Sequence, residues 1–386
     1  MVRAARAVAV DAVHPGYGFL SENPALARAC AQAGVVFVGP SVESLQAVGD
    51  KLTARAHALA AGLPVVPGGA AADLAAARAV AAEVGYPLLV KAVGGGGGRG
   101  MKLVGSAADL AATLDLAVSE AAAAFGDPRV YLERYVTSGR HVEVQVLGDG
   151  SRAVALGDRD CSVQRRYQKL LEEAPAPLLP DALRAQMTEA ALALATHLGY
   201  RGLGTVEMLI DRERNTFYFL EMNARIQVEH PVTELVTGLD LVAEQLAVAE
   251  GLPLRLRQED VVLTGHAVEC RINAEDAAAG FRPSPGVIER VVFPAGEGIR
   301  VDTAVQAGSV VPPYYDSLLA KLVVHGADRA DALARARAAL ELLRIEGVTT
   351  TVPVHRALLA EPEFCAGGVD TAFFDSFLAR ELVVVR

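Results

Sequence analysis

Tryptophan is absent from this chain, and cysteine is scarce: four in 386 residues, at positions 30, 161, 270 and 365, with no Cys-x-x-Cys pair. Thiols so far apart suggest neither a zinc site nor a disulfide framework. Aromatic residues make up only 5%, which leaves the core to aliphatic side chains. Long hydrophobic runs are also missing. No apolar stretch of about 18 residues runs without a charge or a glycine, so no transmembrane helix is expected. The first six residues, Met1-Val2-Arg3-Ala4-Ala5-Arg6, lack the apolar centre of a secretion signal. Basic charge is in deficit, with 36 Lys+Arg against 46 Asp+Glu and a net charge of −10. That balance, with a pI near 5.4, argues against non-specific nucleic-acid binding. These absences together imply a soluble, cytoplasmic, reduced enzyme with neither a membrane nor a nucleic acid as partner.

What remains is rich in aliphatic residues, 52% hydrophobic overall, and long enough for two or three domains. Short β-rich runs alternate with longer alanine-rich helical patterns, which favours an α/β architecture. Strands are expected at 10–13, 35–38, 88–93, 101–104 and 130–135, with helices at 24–33, 41–61, 72–84 and 107–125. His141 to Val146 alternates polar and apolar, as a half-buried antiparallel strand should. Further strands are expected at 153–157, 203–210 and 217–222, with a helix at 181–198 among them. A strand-rich region at 262–325 precedes an amphipathic helix at 328–344.

Three segments carry the chemistry. The first is Lys91-Ala92-Val93 followed by Gly94–Gly98, Arg99 and Gly100. Glycines let backbone amides approach phosphate oxygens. Strands flank the run on both sides and no Gly-Lys-Ser/Thr follows, so it fits neither the Walker nor the Rossmann pattern. It reads as a hairpin tip or a mobile phosphate-covering loop. The second joins Glu207 to the run from Glu221 to Pro231. Two carboxylates on adjacent strands, with Asn223 nearby, supply the hard oxygen ligands that Mg²⁺ prefers. Arg225, Gln227 and Glu229 alternate, so on an extended segment they would project to one side as a small-anion pocket. The third runs from Asp160 to Lys169, then Glu172-Glu173-Ala174-Pro175-Ala176-Pro177. By its charge alone it reads as a solvated loop, while its guanidinium and amide donors fit recognition of planar or phosphate anions.

Taken in order, these segments resemble biotin carboxylase over essentially the whole chain. The resemblance is carried by HPGYGFLSEN at 14–23, GGGGGRGM at 94–101, RHVEVQV at 140–146 and DCSVQRRYQKLLEEAPAP at 160–177. FLEMNARIQVEHPVTE at 219–234, HAVECRINAED at 266–276, SPG at 284–286 and PPYYDSLLAKL at 312–322 extend it. The Gly-rich loop with two acids would mark only the wider ATP-grasp superfamily, which includes carbamoyl-phosphate synthetase and D-alanine ligase. The segments at 160–177 and 219–234 are far more specific.

The resemblance implies an α/β and α+β chain: an ATP-grasp fold with a shortened Rossmann-like N-terminal domain and a biotin carboxylase C-terminal domain. The expected divisions are an N-terminal remnant at 1–40, a helical linker at 41–62, a lid subdomain at 63–136, a catalytic subdomain at 137–255 and a C-terminal domain at 262–380. ATP and bicarbonate would give carboxyphosphate, which carboxylates N1′ of biotin on a carrier protein. By similarity, Lys169, Arg225, Gln227 and the Val228 amide would hold bicarbonate, and Glu229 would take its proton. Arg271 would stabilise the enolate-like oxygen of the ureido ring, and Tyr17 would lie near biotin. Glu207, Glu221 and Asn223 would hold Mg²⁺ or Mn²⁺. Lys51 and Lys91 would contact ATP phosphates under a lid containing Gly96 and Gly97. Glu133 and Val136 would border adenine, with His141 and Gln164 at the ribose. Asp316 belongs either to the active-site region or to a structural anchor.

Two departures from the family accompany these expectations. Tyr167 stands where the family usually has His, and a phenol stays neutral where an imidazole can charge. The family's opening strand and NRGEIA-type turn are absent, so about 60 residues, or two βα units, are expected to be missing. The family homodimer draws on that segment, which puts dimerisation in doubt. The biotin carrier and the carboxyltransferase are expected on other chains, in an acyl-CoA carboxylase. Another ATP-grasp ligase, or a weakly catalytic remnant that binds ATP or a carboxylase partner, are the competing readings.

Overall fold

In the computed structural model, residues 1–18, 20–95 and 100–384 are described, the side chains beyond residue 380 excepted. The chain opens with helix α1 (Val2–Ala7) and a short parallel pair, β1 (Ala12–Val13) with β2 (Val36–Phe37), linked by α2 (Pro24–Gln32). Both strands are shorter than the apolar runs predicted. Asn23 starts α2, its side-chain oxygen accepting from the Ala25 amide at 2.8 Å, and Pro24 fills the first turn where no donor is needed. The stretch predicted as one helix over 41–61 is two, α3 (Val42–Gly49) and α4 (Lys51–Ala60). The break falls at Asp50, which turns extended and caps α4 by accepting from the Leu52 and Thr53 amides, both at 3.0 Å. Lys51 is thereby fixed in a first helical turn.

A four-stranded antiparallel sheet follows, in the order β3 (Gly68–Ala71), β6 (Val130–Arg134), β4 (Leu88–Ala92), β5 (Met101–Val104). Helices α5 (Leu74–Val84) and α6 (Leu110–Phe125) cover it, and Leu88, Val90, Val104, Leu110, Leu114 and Leu132 form the core between them. β4 and β5 pair from Leu88↔Val104 to Lys91↔Met101, so the glycine run does join a hairpin. Gly96 and Gly97 themselves lie outside the described residues.

The largest element is an eight-stranded sheet in the order β11-β10-β7-β8-β9-β12-β19-β17. In chain order its members are β7 (Gly139–Asp149), β8 (Ala153–Arg165), β9 (Gln168–Ala174), β10 (Arg201–Asp211), β11 (Thr216–Asn223), β12 (His266–Asn273), β17 (Ile299–Thr303) and β19 (Leu318–Gly326). Every neighbouring pair in this sheet is antiparallel. The sheet runs on across the 255–262 division, because β9 pairs with β12. Short pairs decorate its C-terminal half: β13 (Glu275–Asp276) with β14 (Arg282–Pro283), β15 (Gly286–Val287) with β18 (Val310–Val311), and β16 (Arg290–Val292) with β20 (Arg344–Glu346).

The polar run at 160–169, which by charge alone reads as a loop, is a hairpin. β8 continues through Arg165, and β9 begins at Gln168. The charges at its two ends are paired within the protein, Asp160 accepting from Arg140 Nε at 3.1 Å and Lys169 donating to Glu143 at 2.7 Å, while Arg166 at the turn is exposed. The turn consists of Arg166 and Tyr167 alone, both with positive φ (49° and 66°), the backbone a tight two-residue hairpin needs. Tyr167 sits at the tip, half exposed.

Helix α7 (Asp181–His197) packs on the valines of β7, whereas α10 (Arg329–Leu342), α11 (Val352–Ala360), α12 (Pro362–Ala366) and α13 (Phe373–Val384) cover the C-terminal half. Helices α8 (His230–Thr237) and α9 (Leu241–Ala249) connect the halves. Among the described residues no helix is long and apolar enough to cross a membrane.

Candidate active site

The alternation in β7 decides which side chains meet. Val142, Val144 and Val146 enter the core against α7, so His141, Glu143 and Gln145 face the opposite side. Glu143 is in register with Arg159 of β8 and with Glu207 of β10, and Glu207 with Glu221 of β11. One row across four strands therefore reads Arg159, Glu143, Glu207, Glu221. Arg159, with no exposed surface, donates through Nε to Glu143 at 2.6 Å. It also donates to Gln145 (2.7 Å), Thr233 (2.9 Å) and Thr205 (3.2 Å).

Lys169, at the start of β9, crosses this row. Its Nζ donates to Glu143 at 2.7 Å, Glu207 at 3.1 Å and Glu229 at 2.6 Å. Glu207 Oε1 also accepts from Asn223 (2.8 Å) and Gln227 (3.1 Å), and His141 Nε2 lies 3.0 Å from Oε2. Burial would raise the Glu207 carboxyl, but Lys169 and His141 hold it well below the usual range. Glu221 goes the other way, raised by burial and by the charge of Glu207, with Lys51 Nζ 4.0 Å away offsetting part of it. Two facing carboxylates with a primary amide beside them are a hard-oxygen set. That fits Mg²⁺ or Mn²⁺.

Residues 224–229 are irregular, not the extended segment expected, because the chain turns at Val228-Glu229 to start α8. Arg225, Gln227 and Glu229 converge by bonding to different neighbours rather than by sharing a strand face. Glu229, fully buried, occupies the position before that helix; its carboxylate bonds none of the helix amides and accepts from Lys169 and, at 2.9 Å, from Arg271 Nη2. Burial pushes its carboxyl up, yet Lys169, Arg271 and Arg159 together hold it far below the ordinary value. Arg271 Nε donates to Glu172 at 2.6 Å. The Glu172-Glu173 pair splits by strand alternation: Glu172 faces Arg271, and Glu173 faces Arg329 and His266 on the other side.

The remaining described residues expected on the nucleotide side fall on β4, β6, β7 and β8 and just beyond β6. Lys91 and Glu133 form a buried ion pair on β4 and β6. Val136 packs with Val66 and Tyr218. Gln164 Nε2 lies 3.2 Å from His141 Nδ1 and donates to the Cys161 carbonyl at 2.9 Å. Tyr17, partly exposed, comes within 6.0 Å of Lys321 Nζ, which donates to the Val228 carbonyl at 2.9 Å and pairs with Asp302. Asp316 accepts from the Leu318 amide at 2.9 Å, a turn contact.

Four participants went unread in the sequence: Glu22, Glu143, Arg159 and Lys321. Glu22 Oε1 accepts from the Ala224 amide at 2.9 Å and Oε2 from Arg225 Nε at 3.1 Å, so it ties the N-terminal segment to Arg225. Arg225 also donates to Asn223 at 3.1 Å. Glu143 did leave a signal, as the middle of three polar residues on one face of an otherwise valine-rich strand.

Metal-suited acids and clustered cations on one large sheet, together with a smaller sheet whose β4–β5 hairpin is joined through the glycine run, fit an ATP-grasp ligase. Three family models divide the chain: "Biotin carboxylase, N-terminal domain" over 1–45, "Carbamoyl-phosphate synthase L chain, ATP binding domain" over 50–257, and "Biotin carboxylase C-terminal domain" over 269–376. The chain is 48% identical to a Pseudomonas aeruginosa biotin carboxylase over 385 residues, 99% of this chain and 85% of that one. A solved Campylobacter jejuni biotin carboxylase, in a complex described as β-γ-ATP, superposes with TM-score 0.94 at 45% identity, covering 97% of this chain and 84% of that one. The biotin carboxylase domain dimer of Hydrogenobacter thermophilus 2-oxoglutarate carboxylase, solved with MgADP, ADP and bicarbonate, gives TM-score 0.94 at 44% identity, covering 97% and 83%. The chain belongs to the biotin carboxylase family.

Proposed function

We propose that this chain carboxylates biotin at the expense of ATP, using bicarbonate, as the first half-reaction of a biotin-dependent carboxylase. The observation that carries the reading is the convergence of Lys169, Arg271 and Glu229 beside the Glu207–Glu221 pair. Bicarbonate is a small anion and a poor nucleophile, so it needs cationic clamping and a base at once. Arg225, Gln227, the Val228 amide and Lys169 supply the donors. Glu229, kept ionised, accepts the bicarbonate proton as the oxygen bonds to the γ-phosphorus and ADP departs. A carboxylate of such low basicity suffices, because bonding to phosphorus acidifies the hydroxyl it must deprotonate.

Glu207, Glu221 and Asn223 would hold Mg²⁺, which when bound neutralises charge on the ATP phosphates. Lys51 and Lys91 bring further positive charge to that side, while Glu133, Val136, His141 and Gln164 frame the nucleoside. The carboxyphosphate so formed delivers its carboxyl group to N1′ of biotin. Arg271, held between Glu172 and Glu229, stabilises the ureido oxygen as biotin loses its proton. Biotin arrives on a carrier protein, and the carboxyltransferase is a separate component. The relatives include domains of larger carboxylases and a domain dimer, which supports work within such an assembly.

The test is ATP hydrolysis by the purified chain with Mg²⁺ and bicarbonate, with and without free biotin. Turnover that requires bicarbonate, rises with biotin and stops on chelation of Mg²⁺ is expected. Turnover indifferent to biotin would favour another ATP-grasp ligase.

Glu22 gives a second prediction. Glu22→Gln keeps the contact to Arg225 but removes its charge, and Glu22 is partly exposed, so the loss is modest. A rise of about three- to tenfold in the bicarbonate KM is expected, with the ATP KM unchanged. Initial rates at varied bicarbonate decide it, and an unaltered bicarbonate KM removes Glu22 from the anion site.

A further inference from the structure

Strand β12 carries a carboxylate that this mechanism does not use. Val268, Cys270 and Ile272 face the hydrophobic core under α10 and α11, so Ala267, Glu269 and Arg271 face α8, where Ala267 packs with Val232 and Val236. Glu269 has no exposed surface and stands in direct register with Glu172 of β9. Directly opposed residues share a sheet face with Cβ atoms about 5 Å apart. Both oxygens of Glu269, and Oε2 of Glu172, are buried without a hydrogen-bond partner among the described residues.

The cations nearby are committed elsewhere. Lys169 serves Glu143, Glu207 and Glu229, and Arg271 serves Glu172 and Glu229. Lys321, on the strand flanking Glu269's other side, serves Asp302 and the Val228 carbonyl. From α8, His230 contacts the Gln227 carbonyl, and Glu234 is paired with Arg300. On the opposite face His355 of α11 contacts the Arg271 carbonyl, and Arg329 of α10 and His266 pair with Glu173. Two facing carboxylates so deeply buried cannot both ionise without a cation of their own. Burial raises both groups: Glu172, with the charge of Glu229 adding and Arg271 opposing, is pushed up to about 7, and Glu269, with the charge of Glu172 adding, is raised well above the usual glutamate range.

We propose that Glu269 stays protonated and donates that proton to Glu172, so that the pair carries one negative charge and positions Arg271 against Glu229. Glu269 touches neither substrate nor base; it is a positioning residue that acts through Glu172. One hydrogen bond then satisfies the orphaned Glu172 oxygen, and Glu172 keeps its charge for Arg271. Ionising Glu269 would add a second negative charge beneath the guanidinium and draw it away from Glu229.

The steady-state arm of the test rests on the biotin carboxylase reading, and the spectroscopic arm does not, so the two can fail separately. An unionised carboxylic acid has a carbonyl stretch that carboxylates lack. The wild-type protein near neutral pH is expected to show that infrared band, and Glu269→Gln is expected to lose it. Glu269→Gln preserves a neutral donor and is expected to keep kcat within about threefold, while the alkaline limb of its pH profile moves up or disappears. Glu269→Leu leaves Glu172 unpaired and is expected to lower kcat about tenfold with the ATP KM little changed. A wild-type spectrum without the acid band overturns the proposal even if neither variant folds. So does a folded Glu269→Gln variant that is as impaired as Glu269→Leu, or one whose pH profile matches wild type.

Discussion

Glu229→Gln is expected to cut biotin-dependent ATP turnover by at least about 10²-fold, the ordinary contribution of a positioned general base, while MgATP binding stays within about threefold. The separation follows from the geometry. Glu229 bonds to Lys169 and Arg271, and neither its hydrogen bonds nor its ion pairs reach Lys51, Lys91 or Glu133 on the nucleotide side. The fold should tolerate the change, because each cation keeps another carboxylate, Glu143 and Glu207 for Lys169 and Glu172 for Arg271. Equilibrium nucleotide binding and steady-state turnover on the same preparation measure both halves. Full carboxylation of biotin by the folded variant would remove Glu229 from the base role.

The pH dependence of Glu229 has a definite sign. Its folded-state carboxyl lies far below the ordinary glutamate value, so its ion pairs stabilise the fold fully above that ordinary value. The contribution is lost as pH falls through the folded-state value. An inflection in kcat/KM near neutrality therefore belongs to another group. If such an inflection vanishes selectively in Glu229→Gln, the charge assignment is wrong.

The sequence was most legible where local chemistry and periodicity agree. The hairpin about the glycines, the strands bearing Glu207 and Glu221, and the start of α2 after Asn23 all follow from patterns within about ten residues. Charge was the poorer guide. Asp160 to Lys169 reads as solvated only while its partners are unknown. Arg140 sits 20 residues away from Asp160, and Glu229 sits 60 residues from Lys169, so the pairing that buries the segment is invisible along the chain. The same distance hid Glu22, whose partner Arg225 is 203 residues on. Spacing grouped Arg225, Gln227 and Glu229 on one side of an extended segment, which the chain does not form. The turn into α8 overrides alternation there, since Pro231 suits a first helical turn and Glu229 supplies its cap position.

Arg159→Met is expected to destabilise the protein by about 3–5 kcal/mol, the usual cost of stripping one partner from a buried ion pair. The side chain is fully buried, and its guanidinium donates to Glu143, Gln145, Thr205 and Thr233, which lie on β7, β10 and α8. Methionine fills much of the volume, so the loss reports the abandoned acceptors more than a cavity. At roughly 2–4 °C per kcal/mol for a domain of 150–250 residues, Tm should fall by on the order of 10 °C. Activity should fall as well. Glu143, deprived of Arg159, would compete harder for the Lys169 ammonium that it shares with Glu229. Adding Glu143→Gln removes a buried charge that has lost one of its two cations, so the double variant should be more stable than Arg159→Met alone despite carrying one more substitution. If the double variant instead melts below the single by the full cost of Glu143→Gln in wild type, the two residues are not coupled, and the row across the four strands is four separate contacts.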